Sequence, residues 1–269
     1  MIGTVRRWLP EKMLVLVTDG GLTAVKLGLR CARYANPVTY ISRLRLDAVL
    51  HDPPGLQPRG KRGPKPKKGK RQPSLKTVLL DPSTQWTKCE IDWYGGKRRI
   101  VEIATGTALW YTPGYDPLPI RWVLVRDPAG QLSTKAHFST DLEQSPLEII
   151  SDCIKRWSIE VTFEEMRAYL GLETQRHWSV RAIERTTPCL MGLFSLVVLI
   201  AFTLHPQQLP VRQASWYPKQ EATFSDALAA VRSDLWRSVN CSTSAQDADR
   251  LLIPRATLQA LLEMACYST

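Results

Sequence analysis

The chain has 269 residues, 44% of them hydrophobic, and a formal net charge of +11. That length holds one large domain or two, and the apolar share is ample for a core. The charge excess points to a polyanionic partner, nucleic acid first and an anionic membrane surface second. Six cysteines, at 31, 89, 153, 189, 241 and 266, are scattered with no CxxC or Cys/His pair at zinc-ligand spacing, which argues against a structural zinc. The opening MIGTVRRWLPEK lacks the apolar segment of a signal peptide, so a cytoplasmic setting with reduced thiols is expected.

Met13 to Thr18, MLVLVT, is a short and nearly all-apolar run, the pattern of a strand buried on both faces in a parallel sheet. It ends at Asp19-Gly20-Gly21, after which Leu22 to Tyr34 reads as helix. Asp19 is then either a turn residue capping the next helix or a site acid at the carboxyl end of a strand, where α/β folds place their ligands. Pro37 to Leu46, PVTYISRLRL, reads as the next strand, with Arg43 and Arg45 alternating against apolar neighbours.

Asp47 to Pro73 reads as a mobile loop or linker. Arg59, Lys61, Arg62, Lys65, Lys67, Lys68, Lys70 and Arg71 crowd among Gly and Pro. Such a run cannot bury a core, and its charge fits a strap across phosphates with no means of reading sequence. From Leu75 to Phe138 come short alternating runs (TVLL, WTKCEIDWY, RRIVEIATGTALWYT, IRWVLVRD, KAHFST) separated by turn formers, which predict a β-rich subdomain. Trp86, Trp93, Tyr94, Trp110, Tyr111 and Trp122 fall here. They suit stacking on unpaired bases, but most are expected to fill the core of the sheet.

Ser145 to Leu170 predicts one long helix. Ser145, Pro146 and Glu148 form a capping-box start, and Gly171 is a natural stop. At 100° per residue Cys153, Arg156, Glu160, Glu164 and Arg167 share one stripe. Ile150, Ile154, Trp157 and Val161 flank it on one side, and Ile159, Phe163, Met166 and Leu170 on the other. Lys155, Ser158, Thr162 and Glu165 fill the solvent-facing back. Charges between two apolar flanks are partly buried, which fits either an internal Arg–Glu ladder or an active-site helix. Trp178 to Leu204 is the next helical region, expected to break at Thr187-Pro188. CLMGLFSLVVLIAFTL falls short of the ~20 residues of a membrane span and reads as a buried core helix. The tail predicts two amphipathic helices, Phe224–Arg237 and Pro254–Ala265.

The stretch from Cys153 to Arg167 resembles the C-terminal signature of bacterial insertion-sequence DDE transposases: Tyr, two residues, Arg, three residues, Glu, six residues, Lys. Arg156 and Glu160 match it, Cys153 stands at the Tyr place and Arg167 at the Lys place. EVTFEEMRAYLGLETQRHWS and RTTPCLMGLFSLV also read like these proteins, and the similarity runs from the first residues to about Phe202. The resemblance implies an α/β fold with an RNase H-like catalytic core, a β-rich insertion and a helical C-terminal region. It implies metal-dependent DNA cleavage and strand transfer, with Asp19 (in VTDGG, at the place of the second catalytic Asp) and Glu160 as catalytic residues and ligands of a two-Mg²⁺ site. Arg156 and Arg167 would bind DNA, the transposon ends would be the partner, and synapsis of two ends makes a homodimer plausible.

No strand-borne acid precedes Asp19 to serve as the first catalytic Asp. The expected object is therefore the C-terminal portion of a transposase, its core missing the first strands and its catalysis impaired. The expected division is residues 1–46, partial core; 47–140, basic loop and β-rich insertion; 141–204, the Glu helix and the following core helix; and 205–269, helical tail. The alternative is a non-catalytic DNA-binding protein acting through the basic loop. A membrane-associated protein using residues 188–206 ranks behind both.

Overall fold

The chain divides after Trp157 into two units, Met1–Trp157 and Ser158–Thr269, in a computed structural model that describes residues 1–55, 66–94, 97–174, 179–212, 219–240 and 255–267.

The first unit is built on a seven-stranded mixed sheet. Its strands are β1 (Leu14–Thr18), β2 (Val38–Leu44), β3 (Leu50–His51), β4 (Thr87–Asp92), β5 (Arg98–Trp110), β6 (Leu118–Arg126) and β7 (Lys135–Ser139). They run in the order β1-β2-β7-β6-β5-β3, with β4 pairing the first half of β5. Only β1 and β2 are parallel; the other pairs are antiparallel.

Alternation along the strands splits the apolar side chains between two layers. Tyr40, Leu118, Ile120, Leu124, Ala136 and Phe138 pack on one face with Val25 and Cys31 of α2 (Val25–Ala32), Leu75 of α3 (Leu75–Leu80) and Ile2 of α1 (Ile2–Trp8). Ile41, Val101, Ile103 and Val123 pack on the other face against Ile149 and Ile150 of α4 (Pro146–Lys155). Full burial of each such side chain is worth about 1.5–3 kcal/mol. Gly28 lets α2 lie close on the sheet, because a Cβ there would meet Leu118 Cδ2 at 2.3 Å.

Several expectations change. The β-rich stretch shares a sheet with the opening strands, since β7 pairs directly with β2 and places β5–β7 in the same sheet as β1. β1 is not buried on both faces. Among the described residues it pairs with β2 alone, and Val15 is exposed. TVLL lies in a helix, α3, because Ser74 caps it by accepting the Thr77 N–H at 3.1 Å. The expected mobile linker is tied down where it is described. Asp52 N–H donates to Lys70 O at 2.8 Å, Gly69 N–H to Asp52 O at 2.8 Å and Gln72 N–H to Leu50 O at 2.9 Å.

The long helix of 145–170 is two helices. Both bonds of the predicted capping box at Ser145 are present. At the other end of α4 the Trp157 N–H reaches back to Ile154 O, three residues away, rather than four. The Trp157 ring then lies 5.4 Å from that of Tyr94, a tertiary contact that overrides helix continuation.

The second unit contains α5 (Ser158–Leu170), α6 (Val180–Leu204), α7 (Phe224–Asn240) and α8 (Arg255–Tyr267). Its core joins Val197 and Ala201 of α6 to Phe224, Ala227, Leu228 and Val231 of α7, with Tyr169 and Leu170 of α5 packed alongside. The flanks expected on either side of the charged stripe are not both covered, as Ile159 and Val161 are exposed, and Glu165, expected on the solvent face, is half-buried. α6 does not break at Pro188. That residue is exposed, so water can satisfy the carbonyl freed at Glu184. Nor is α6 a buried core helix: 11% of its most apolar window is buried, and by length and composition it could cross a membrane.

Candidate active site

In the first unit, β1 delivers the chain to Asp19 through a small hydroxyl network. Ser42, fully buried on β2, accepts from Thr18 Oγ1 at 3.0 Å, lies 2.6 Å from Thr23 Oγ1 and donates to the Thr18 carbonyl at 3.0 Å. Thr23 Oγ1 also donates to Arg43 O at 2.9 Å. These contacts pin the turn Gly20–Leu22 on the end of β2. Asp19 precedes that turn and its side chain makes no capping bond, so the reading of Asp19 as a helix-capping residue does not hold. Its carboxylate is exposed at the rim of a cleft of about 350 Å³ between the sheet and the C-terminal end of α4.

Arg156, at the end of α4, lines the same cleft, so the fold brings together two residues separated by most of the unit's length. Trp93, Tyr94 and Trp157 form an aromatic run along its wall, with ring centroids 5.0 and 5.4 Å apart. Cys153, at the place of the signature Tyr, faces the cleft. Burial pushes its thiol up to about 12, with Asp152 adding to the shift and Arg156 opposing it. Asp127 also lines the cleft but is committed elsewhere. It pairs with Arg99 at 3.5 Å and accepts the N–H groups of Ala129, Gln131 and Leu132.

Three lining residues were not singled out as site residues by sequence: Arg43, Lys135 and His137. Arg43 and His137 are direct partners across the β2–β7 pairing. The His137 Nδ1 is enclosed and has no hydrogen-bond partner among the described residues. Burial pushes its pKa down to about 4, with the charges of Arg43 and Lys135 adding to the effect. The available signal was position 137 itself, a polar residue between Ala136 and Phe138 and therefore on the opposite face of the strand from the apolar pair.

The remaining predicted residues lie elsewhere. Glu160 is in the first turn of α5, half-buried, in the second unit. Arg167 is in the last turn of α5 and exposed rather than on a buried stripe. Its Nε donates to Glu173 Oε2 at 2.6 Å and its other nitrogen to Oε1 at 3.4 Å. Of the basic run, Arg59, Lys61, Arg62 and Lys65 lie outside the described residues. Lys67 pairs with Asp116 at 2.6 Å, Lys68 Nζ sits 3.3 Å over the Tyr111 ring, and Lys70 and Arg71 are exposed. Among the described residues no group of three or more Asp, Glu, His or Cys side chains is placed to hold a metal ion.

Residues 96–207 match the profile of a DDE transposase family described as "Archaeal putative transposase ISC1217". The matched stretch runs from the start of β5 to just past α6 and so contains Arg156, Glu160 and Arg167, while Asp19 and the basic run lie before it. No curated protein matches the chain.

Proposed function

We propose that this chain is a DDE transposase component that acts on DNA ends, with Asp19 and Glu160 as its catalytic carboxylates. The observation that carries this reading is the match over residues 96–207, which contains the Arg-x-x-x-Glu spacing of Arg156 and Glu160. Arg156 sharing a cleft with Asp19 supports it, because a cationic fork beside a carboxylate suits a phosphodiester. In this reading the sheet belongs to an RNase H-like core, Arg156 and Arg167 contact DNA phosphates, and the run from Arg59 to Arg71 (Arg59, Lys61, Arg62, Lys65, Lys67, Lys68, Lys70, Arg71) adds charge along the duplex.

Arg167 reaches a phosphate only by giving up Glu173. That exchange is cheap, because water screens an exposed pair of this kind and little stability rests on it. Mg²⁺ is the divalent ion proposed for the reaction. Two carboxylates are fewer than the three such chemistry uses, so strand cleavage by this polypeptide alone is expected to be weak or absent.

One observation favours a second reading, a non-catalytic DNA-binding protein: no group of three metal-ligating side chains is present among the described residues. A plasmid-nicking assay with Mg²⁺ or Mn²⁺, run beside a DNA-binding titration over a salt series, separates the two. Nicking that disappears in Glu160→Gln, with salt-sensitive binding intact, establishes the enzyme. Binding with no nicking in either protein fits both readings, and a Mg²⁺-dependent gain in DNA affinity that Glu160→Gln abolishes then assigns the transposase, its absence the non-catalytic protein. A chain that does not bind DNA at low salt overturns both.

A further inference from the structure

The cleft beneath the end of α4 gathers Arg43, Lys135 and His137 along one wall. Arg43 and His137 oppose each other across β2–β7, and Lys135 lies two residues along β7, so all three side chains leave the sheet on the α4 face. No hydrogen bond or ion pair among the described residues engages the charged ends of Arg43 and Lys135. Arg156 lines the same space. Of the two carboxylates present, Asp127 is held by Arg99 and three backbone N–H groups, and Asp19 stands exposed at the rim. The Cys153 thiol stays neutral and contributes no counter-charge. The enclosed Nδ1 of His137 is a polar atom with nothing to bond to among the described residues, in a cavity roomy enough for a small ligand.

We propose that this cleft binds a phosphomonoester of nucleotide size, with Arg43 and Lys135 supplying fixed positive charge, His137 donating a hydrogen bond from Nδ1, and the Trp93–Tyr94–Trp157 wall stacking on the attached base. The nucleic-acid character of the ligand rests on the DNA reading above; the anion site rests on the cleft itself.

The groups facing His137 are Arg43 from β2, Lys135 from β7, Asp19 beyond β1, Asp127 beyond β6, and Cys153 and Arg156 from the end of α4. Burial, with the charges of Arg43 and Lys135 adding to it, holds the ring's pKa down at about 4. A phosphate dianion placed among the same groups reverses the sign of the local field and favours the protonated ring. Above the ligand's own second ionisation, near pH ~6, the phosphate is already dianionic, so binding there takes up protons through the ring and affinity falls as pH rises further.

The test is calorimetric titration of the full chain at pH 6 and pH 8, each in two phosphate-free buffers of low and high ionisation enthalpy. The probes are inorganic phosphate, a nucleoside 5′-monophosphate, and one oligonucleotide with and without a terminal phosphate. The mononucleotide is expected to bind at least tenfold more tightly than phosphate at pH 6, and at pH 8, where the ligand is already dianionic, with a heat that depends on the buffer. Arg43→Ala and Lys135→Ala should each weaken it at least tenfold. His137→Gln keeps a donor but loses the charge, so it should weaken binding severalfold and lose the buffer dependence at pH 8, with far-ultraviolet circular dichroism checking that it folds. Preference for the phosphorylated oligonucleotide assigns the ligand to a strand end; binding of the mononucleotide without that preference assigns it to a free nucleotide.

Absence of phosphomonoester binding at millimolar concentration overturns the proposal. So does indifference to Arg43→Ala and Lys135→Ala, or proton uptake at pH 8 that persists in His137→Gln. If those results come from a chain that still binds DNA, the anion site fails and the transposase reading stands. Phosphomonoester binding with the expected signatures in a chain with no affinity for DNA does the reverse.

Discussion

Replacing Asp226 with Ala should be among the most damaging single changes in the second unit. This side chain is 1% exposed, in the first turn of α7. Its carboxylate accepts the Thr223 N–H at 2.9 Å, the Arg212 N–H at 3.2 Å and the Tyr267 hydroxyl at 2.9 Å, and it pairs with Lys219. Lys219 is itself largely covered, so truncating its partner leaves a buried ammonium without its carboxylate, a change that costs about 3–5 kcal/mol. The loss reaches the helix bearing Glu160, because Phe224 at the start of α7 packs with Tyr169 of α5. In a domain of roughly 100 residues each kcal/mol moves the melting point by about 4–8 °C, so a fall of at least about 12 °C is expected.

Thermal melts followed by circular dichroism, with hydrogen exchange of the α7 amides to assign the transition to this unit, measure the effect. Asp226→Ala combined with Lys219→Met should recover part of the loss, since the largely covered ammonium that Asp226 had paired is then gone. A single variant melting within about 3 °C of the parent, or a double variant no better than the single, refutes the reasoning.

Acid should act on the same group. Burial raises the Asp226 carboxyl, but the Lys219 ammonium and the donors around it outweigh burial and hold it below the ordinary aspartate value. A folded value below the unfolded one, about 3.9, means that the contribution is complete above that pH and is lost as pH falls through the folded value. Stability of the second unit should therefore decline below pH ~4 in the parent and much less steeply in Asp226→Ala; parallel curves sink this account. Cys153, its thiol pushed up to about 12, should resist iodoacetamide at pH 8 while exposed Cys189 reacts, as read by mass spectrometry; equal labelling of the two contradicts the burial argument. Gly28→Ala should lower the urea midpoint, because its Cβ meets buried Leu118 at 2.3 Å and overpacking of this kind costs about 1–3 kcal/mol. An unchanged midpoint shows that α2 can withdraw from the sheet.

Elements specified by local chemistry were legible in the sequence. The Ser145 capping box, the stop at Gly171 with φ +69°, β2, the β5–β6 ribbon and the tail helices α7 and α8 lie close to where pattern and capping placed them. What was not legible depends on distant partners. Nothing between Asp152 and Ser158 is a helix breaker by composition, and α4 ends there because Trp157 finds Tyr94 from a stretch some sixty residues earlier. Residues 98–139 alternate as any sheet would, and periodicity does not say which sheet they join. The pairing of Ile41 with Ser139 and of Arg43 with His137 decides it.

The same distinction explains how the candidate site was read. The carboxylates came from motif spacing, which survives a break in the helix that carries it. Arg156 closes α4 and Glu160 opens α5, yet their separation along the chain is unchanged. The stripe argument required one continuous helix and fails at that break, taking with it the expectation of a buried Arg167. Arg43, Lys135 and His137 escaped notice for the opposite reason. Each looks like an ordinary solvent-facing residue of an alternating strand, and only the placement of α4 over that face of the sheet turns three surface residues into the wall of a cleft.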